Sequence, residues 1–245
     1  MRGPSLEAVL FDLGHTLMDW TWDDDLLVAG HKAGLDAIGR SSETAAQALT
    51  SRYLHEAQLQ DWEAVEEVEY PALTRTMLAD IGVDVDDDEL VRFLDSEHAA
   101  WAPARKVGSM SEALLDSLHD RGLKTGLVSN AWDPRWLLVR DLDEMGLLSR
   151  LDAIVFSSEV GLRKPRPEIF YRVLDELEVE PARAMFVGDR LEADIKGAAA
   201  VGMTTVQAMW FRAEESENAV EPDYRAFTMV DVLNIVERVR TAGTA

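Results

Sequence analysis

Short apolar runs that end on a polar residue or glycine recur along this chain, and each predicts a parallel strand buried on both faces. Glu7 to Asp12 (EAVLFD), Lys124 to Ser129 (KTGLVS), Ala153 to Ser157 (AIVFS) and Ala184 to Gly188 (AMFVG) are such runs, and Thr204 to Met209 is a weaker one. Stretches of helical period separate them. Ser109 to Gly122 keeps Leu114, Leu115 and Leu118 on one side, opens with a predicted capping box of Ser109 and Glu112, and stops at Gly122. Pro134 to Met145, Pro167 to Leu177 and Leu191 to Val201 read the same way, with Gly146 and Gly202 as stops. Strand and helix therefore alternate from Ser109 onward, which predicts right-handed βαβ units and a parallel sheet covered by helices.

Between Trp22 and Trp101 the pattern changes. Strand-like runs are absent, and Leu26, Ala29, Ala33 and Ala37 repeat at helical spacing, so this stretch predicts an inserted module of about four helices. The acidic tract Asp84 to Glu89 reads as a solvated turn and helix start. The predicted fold class is α/β, a Rossmann-like three-layer parallel-sheet core with an inserted α-helical cap. Residues 1–20 and 103–245 are expected to form the core and 21–102 the cap, with hinges near Trp20 and Pro103.

Composition narrows the partners. The chain of 245 residues carries 24 Lys plus Arg against 46 Asp plus Glu, a formal charge of -22. That charge repels nucleic-acid backbones and anionic membrane surfaces, so neither is an expected partner. The absence of cysteine excludes disulfides, thiolate nucleophiles and cysteine-ligated metals. It fits a reducing compartment, and the expected location is cytoplasmic. The opening apolar run, broken by Asp12, is too short for a signal core or a spanning helix. A monomer or homodimer is expected.

In open parallel sheets ligands gather at the carboxyl ends of the strands. There the sequence places Asp12, then Ser129 with Asn130, then Lys164 in GLRKPRPEIF, then Gly188 with Asp189, and Asp194 beyond. Four segments carry these residues: FDLGHTL at Phe11 to Leu17, VSN at Val128 to Asn130, RKPRPEIF at Arg163 to Phe170, and GDRLEAD at Gly188 to Asp194. In this order, over most of the chain, they resemble the haloacid dehalogenase-like (HAD) hydrolase superfamily. The insertion after the first segment then corresponds to that family's C1 type of helical cap.

The resemblance implies phosphoryl transfer, and the residue chemistry agrees. Asp12 can attack phosphorus to give an acyl-phosphate that water hydrolyses. A hard cation, expected to be Mg²⁺, is implied on the Asp12 and Asp189 carboxylates and the Gly14 carbonyl, with Asp194 as a direct ligand or the orienter of a bound water. Ser129 and backbone N–H groups near Asn130 are expected to bind the transferring phosphoryl group, and Lys164 to hold Asp12 ionised and offset developing charge. The expected substrate is a small phosphorylated metabolite.

One position departs from the family. Its phosphatases commonly carry a second Asp two residues after the nucleophile, as acid and base; here Gly14 stands there, followed by His15. Losing such a group costs about 10²- to 10⁴-fold in rate. Either the substrate has a leaving group that needs little protonation, or His15 supplies the proton, or the chain is a weak or inactive relative with a binding role. Asp12, Lys164 and Asp189 argue against the last. A 2-haloacid dehalogenase is the other enzymatic reading; its metal-free displacement of halide has no use for Asp189 with Asp194. Phosphomutase chemistry leans on the acid that Gly14 removes. The ring of His15 has a bland alternative, packing in a turn under the cap. Asp19, Trp20 and Trp22 read as junction packing, Arg163, Arg166 and Arg190 as solvated or salt-bridged, and His31, His55, His98 and His119 as helix residues without ligand spacing.

Overall fold

A computed structural model describes residues 5–59, 65–212 and 220–244; the predicted core and cap ranges also take in residues outside these. The chain begins with β1 (Ala8–Phe11) and β2 (Met18–Trp20), and then enters four helices, α1 (Asp24–Ala37), α2 (Glu43–Leu59), α3 (Tyr70–Asp80) and α4 (Asp87–Ala99). It returns through β3 (Arg105–Val107), α5 (Ser111–His119), β4 (Lys124–Ser129), α6 (Arg135–Glu144), β5 (Ala153–Phe156) and the short α7 (Ser157–Val160). The last part holds α8 (Pro167–Leu177), β6 (Ala184–Gly188), a π-turn at Leu191–Lys196, α9 (Gly197–Val201), β7 (Thr204–Ala208), β8 (Tyr224–Ala226) and α10 (Met229–Thr244).

Six strands form one parallel sheet in the order β5-β4-β1-β6-β7-β8, so β1 is central. Its alternating side chains feed both layers. Val9 and Phe11 join the core under α5 and α10, while Ala8 and Leu10 join the one under α8 and α9. This two-sided burial is why the strand runs read as continuously apolar. The α/β class and the parallel sheet are as the sequence predicts, and β8 is an additional edge strand with too few apolar residues to be seen.

The helical insertion has its own core of Leu27, Leu35, Leu49, Met77, Leu78, Phe93 and Leu94, shared with Leu137 of α6. Gly34 lets α1 approach α4, because a Cβ there would stand 2.6 Å from the Phe93 ring. The acidic tract starts α4 as expected: Asp86 accepts from Glu89 N–H at 2.8 Å, and Glu89 answers on Asp86 N–H at 3.2 Å. The connectors near Trp20 and Pro103 are more ordered than hinges suggest, since β2 and β3 pair antiparallel with Met18 opposite Val107 and Trp20 opposite Arg105.

Two local expectations are corrected. The Ser109 capping box does not form; α5 begins at Ser111, whose hydroxyl donates to the Leu17 carbonyl at 2.6 Å and ties the helix to the β2 turn instead. The predicted helix at Leu191 to Val201 is split, with a wide π-turn before α9. Among the described residues no helix is long and apolar enough to cross a membrane.

Candidate active site

The carboxyl edge of the sheet brings three chain segments together. Asp12 leaves the central strand, still donating its N–H to the Val187 carbonyl at 3.0 Å; Ser129 ends β4 on one side and Gly188 ends β6 on the other. Asp12, Asp189 and Asp194 are all buried, and each places a carboxylate oxygen within 4.8 Å of the other two. Gly188 makes that approach possible, because a Cβ there would lie 2.5 Å from Asp194 Cγ. The π-turn supplies the rest. Its widened backbone folds Asp194 back so that Oδ2 accepts from Arg190 N–H at 2.9 Å.

Lys164 is fully used. Its Nζ donates to Asp12 Oδ1 at 2.6 Å and to the Val128 carbonyl at 2.8 Å, and it forms an ion pair with Asp194 Oδ1 at 2.7 Å. Asn130 positions it: Oδ1 accepts Lys164 N–H at 2.8 Å and Nδ2 donates to the Lys164 carbonyl at 3.1 Å. The Asn130 side chain is thus committed to the lysine loop. Arg212 pairs with Asp189 Oδ2 through Nε at 3.0 Å and Nη2 at 2.6 Å.

These contacts do not cancel the negative charge. Burial pushes the Asp12 carboxyl up to about 7, with Lys164 opposing and Asp194 and Asp189 reinforcing the rise. Burial likewise lifts Asp189 to about 6, against the pull of Arg212. Lys164 loses hydration on burial, yet the Asp12 and Asp194 carboxylates hold it above the ordinary lysine value. Three carboxylates thus share two cationic partners. Such an all-oxygen, electron-rich cluster suits a hard divalent cation.

Gly14 and His15 occupy the turn after the nucleophile position. Nothing lies within 4 Å of where a Gly14 Cβ would stand. His15 adopts φ 56, a left-handed conformation that a non-glycine residue takes at a cost of about 1 kcal/mol or more. Its Nδ1 lies 3.1 Å from Asp19 Oδ1, which selects the tautomer with the proton on Nδ1.

All eight residues singled out in the sequence, Asp12, Gly14, His15, Ser129, Asn130, Lys164, Asp189 and Asp194, border one cavity of about 520 Å³, a size suited to a small metabolite. The helical module roofs it. Arg163 N–H donates to the Val65 carbonyl at 2.7 Å and Glu67 N–H to the Gly161 carbonyl at 3.0 Å, while the Tyr70 and Trp132 rings stack 5.3 Å apart. Sequence reading set aside Arg163, Arg190, Trp20 and Trp22, yet all four line this cavity, as do Arg212, Glu97 and His98. Arg212 sits beyond the recognisable segments and could be found only in space. Arg163, adjoining Lys164, was within reach of the motif.

A family model for haloacid dehalogenase-like hydrolases matches residues 6–202, and the chain belongs to that family. A glyceraldehyde 3-phosphate phosphatase of Methanopyrus kandleri is 28% identical over 244 residues, spanning 96% of this chain and 97% of its own. A crystal structure of a HAD phosphatase from Thermococcus onnurineus aligns with a TM-score of 0.63 at 25% identity, over 94% of this chain and 98% of that one. A 2-haloacid dehalogenase from Pseudomonas syringae pv. Tomato aligns with a TM-score of 0.65 over 95% of this chain and 99% of that one. At 20% identity, that likeness is of fold alone.

Proposed function

We propose that the chain is a HAD-type phosphatase of a small phosphorylated metabolite, working through an aspartyl phosphate on Asp12. The observation that carries this is the buried cluster of Asp12, Asp189 and Asp194 around Lys164. Displacement of halide from carbon needs the nucleophile and the lysine but not two further buried carboxylates, whose desolvation Arg212 and Lys164 offset only in part. The full-length likeness to a glyceraldehyde 3-phosphate phosphatase points the same way.

The residues that would hold a divalent cation, Mg²⁺ in this reading, are Asp12, Asp189, Asp194 and the Gly14 carbonyl. When bound, it would offset charge on the carboxylates and on the phosphoryl oxygens. Asp12, oriented by Lys164, forms a bond to phosphorus as the bond to the leaving oxygen breaks. Ser129 and the backbone after it donate to the transferring group, and Lys164 opposes its charge. His15, with Nδ1–H turned to Asp19, protonates the leaving oxygen from Nε2. The neutral ring then takes a proton from the water that attacks the acyl-phosphate, releasing phosphate and restoring Asp12. The set is complete within one chain, which is compatible with a monomer or a homodimer. A cysteine-free acidic chain of this kind belongs in the cytoplasm.

Hydrolysis of p-nitrophenyl phosphate tests the reading. The expected result is turnover with Mg²⁺, loss on chelation, and a drop of at least about 10⁴-fold in Asp12→Asn. Metal-independent halide release from 2-chloropropionate, without phosphate turnover, would replace it with the dehalogenase.

A further inference from the structure

The helical module gives the cavity a second wall whose chemistry differs from that of the carboxylate cluster. Six aromatic rings form a band there: Trp20 and Trp101 lie 6.0 Å apart, Trp101 and Trp22 5.3 Å, Trp22 and Tyr53 6.3 Å, Tyr53 and Trp132 6.1 Å, and Trp132 and Tyr70 5.3 Å. All six border the cavity. Glu97 sits among them, only 4% exposed, and accepts hydrogen bonds from Trp101 and Tyr70.

Nearby cations are already committed. His98 lies between Asp133 at 2.9 Å and Asp141 at 2.8 Å, and Arg105 pairs with Asp141 at 2.8 Å. Among the described residues none forms an ion pair with Glu97. Burial pushes its carboxyl up to about 7, with Asp133 adding to the rise and the His98 charge opposing it. A buried carboxylate whose nearest cation, His98, is held by two other aspartates is costly, and the groups that ordinarily relieve it are a proton or a cation. A neutral sugar would stack on the rings but leave that charge uncompensated. An organic ammonium group satisfies both features, because it is attracted to ring faces and to the carboxylate together.

We infer that this wall of the cavity receives an alkylammonium group, so that the substrate is a phosphomonoester carrying an organic cation in addition to its phosphate. The inference rests on the phosphatase reading for the phosphate. Its own support is the juxtaposition of the aromatic band with Glu97.

The test compares phosphocholine with 3,3-dimethylbutyl phosphate, which has the same shape with carbon in place of nitrogen. The full chain is expected to favour the cation in kcat/KM by about tenfold or more, and Glu97→Gln to bring the ratio close to one. An equal or reversed ratio in the unmodified chain, an unchanged ratio in Glu97→Gln, or faster turnover of glucose 6-phosphate than of phosphocholine overturns the inference. A second arm needs no turnover: tetramethylammonium should change tryptophan fluorescence saturably, tert-butanol should not, and Glu97→Gln should abolish the response. The absence of a tetramethylammonium response overturns the ammonium pocket. p-Nitrophenyl phosphate run in parallel separates the two readings. If it is hydrolysed without any cation preference, only the ammonium pocket fails; if no ester is hydrolysed while tetramethylammonium binds, only the phosphatase reading fails.

Discussion

In the proposed mechanism the leaving group receives its proton at the turn of Gly14 and His15. The space beside Gly14 is open and its φ lies outside the left-handed region, so a side chain can start there without its Cβ displacing a neighbour. His15 is held in an unfavourable backbone conformation with one ring nitrogen tied to Asp19, the kind of strain that persists where it serves a site. His15→Ala is therefore expected to slow hydrolysis of an alkyl phosphate by about 10²-fold or more and that of p-nitrophenyl phosphate far less, because the aryl leaving group needs no acid. Gly14→Asp in the His15→Ala background is expected to restore the alkyl ester rate. Equal loss on both esters would remove His15 as the acid and make it a turn residue. The candidate site was legible here to an unusual degree, because its carboxylates and lysine lie next to strand ends within short segments. Asn130 was legible as a site residue but not in its task, since its amide clamps the lysine loop across 34 residues of chain.

At the scale of elements, the site depends on how β6 passes into the π-turn. A straight α-helix from Leu191 would carry Asp194 along its axis, whereas the wider turn returns it to Arg190 N–H and Lys164. Gly188 leaves the space into which Asp194 folds. Gly188→Ala is expected to displace that carboxylate, lowering turnover by about 10²-fold while costing roughly 1–3 kcal/mol of stability in urea denaturation. Turnover at the unmodified level would show that Asp194 is not required where it stands. The strands were legible because two-sided burial leaves an apolar run with a polar stop. The π-turn was not, because its residues have ordinary helical spacing. The Ser109 capping box does not form because α5 starts two residues later, where the Ser111 hydroxyl donates to the Leu17 carbonyl across 94 residues of chain.

At the scale of the molecule, the helical module is bound to the sheet core by buried charge. His98 of α4 bridges Asp133 and Asp141 of the core, with Arg105 on Asp141. Burial opposes charge on His98, but its hydrogen bonds to the two aspartates outweigh it and raise the group from its ordinary 6.5 to about 9. A histidine raised on folding contributes stability that is fully present below pH 6.5 and is lost as pH rises through about 9, here on the order of 3 kcal/mol. Unfolding free energy is thus expected to fall between pH 7 and 9, and His98→Gln to be less stable at pH 7 and to lose most of that slope, the remainder coming from Asp12 and Glu97 near pH 7. The same slope in both proteins would dissociate His98 from the module's attachment. The formal charge of -22 makes polyanionic partners unexpected from composition alone, but its distribution does not follow from it. Local pattern determined the parallel sheet, the inserted helices and the four segments that carry the candidate site, because strand burial and strand-end chemistry are encoded over a few neighbouring residues. Tertiary structure alone decided the pairing of Arg212 with Asp189, the seating of Glu97 within an aromatic band and the His98 bridge. Each of these joins side chains far apart in the chain, and their charges and rings acquire meaning only when folding removes the water between them.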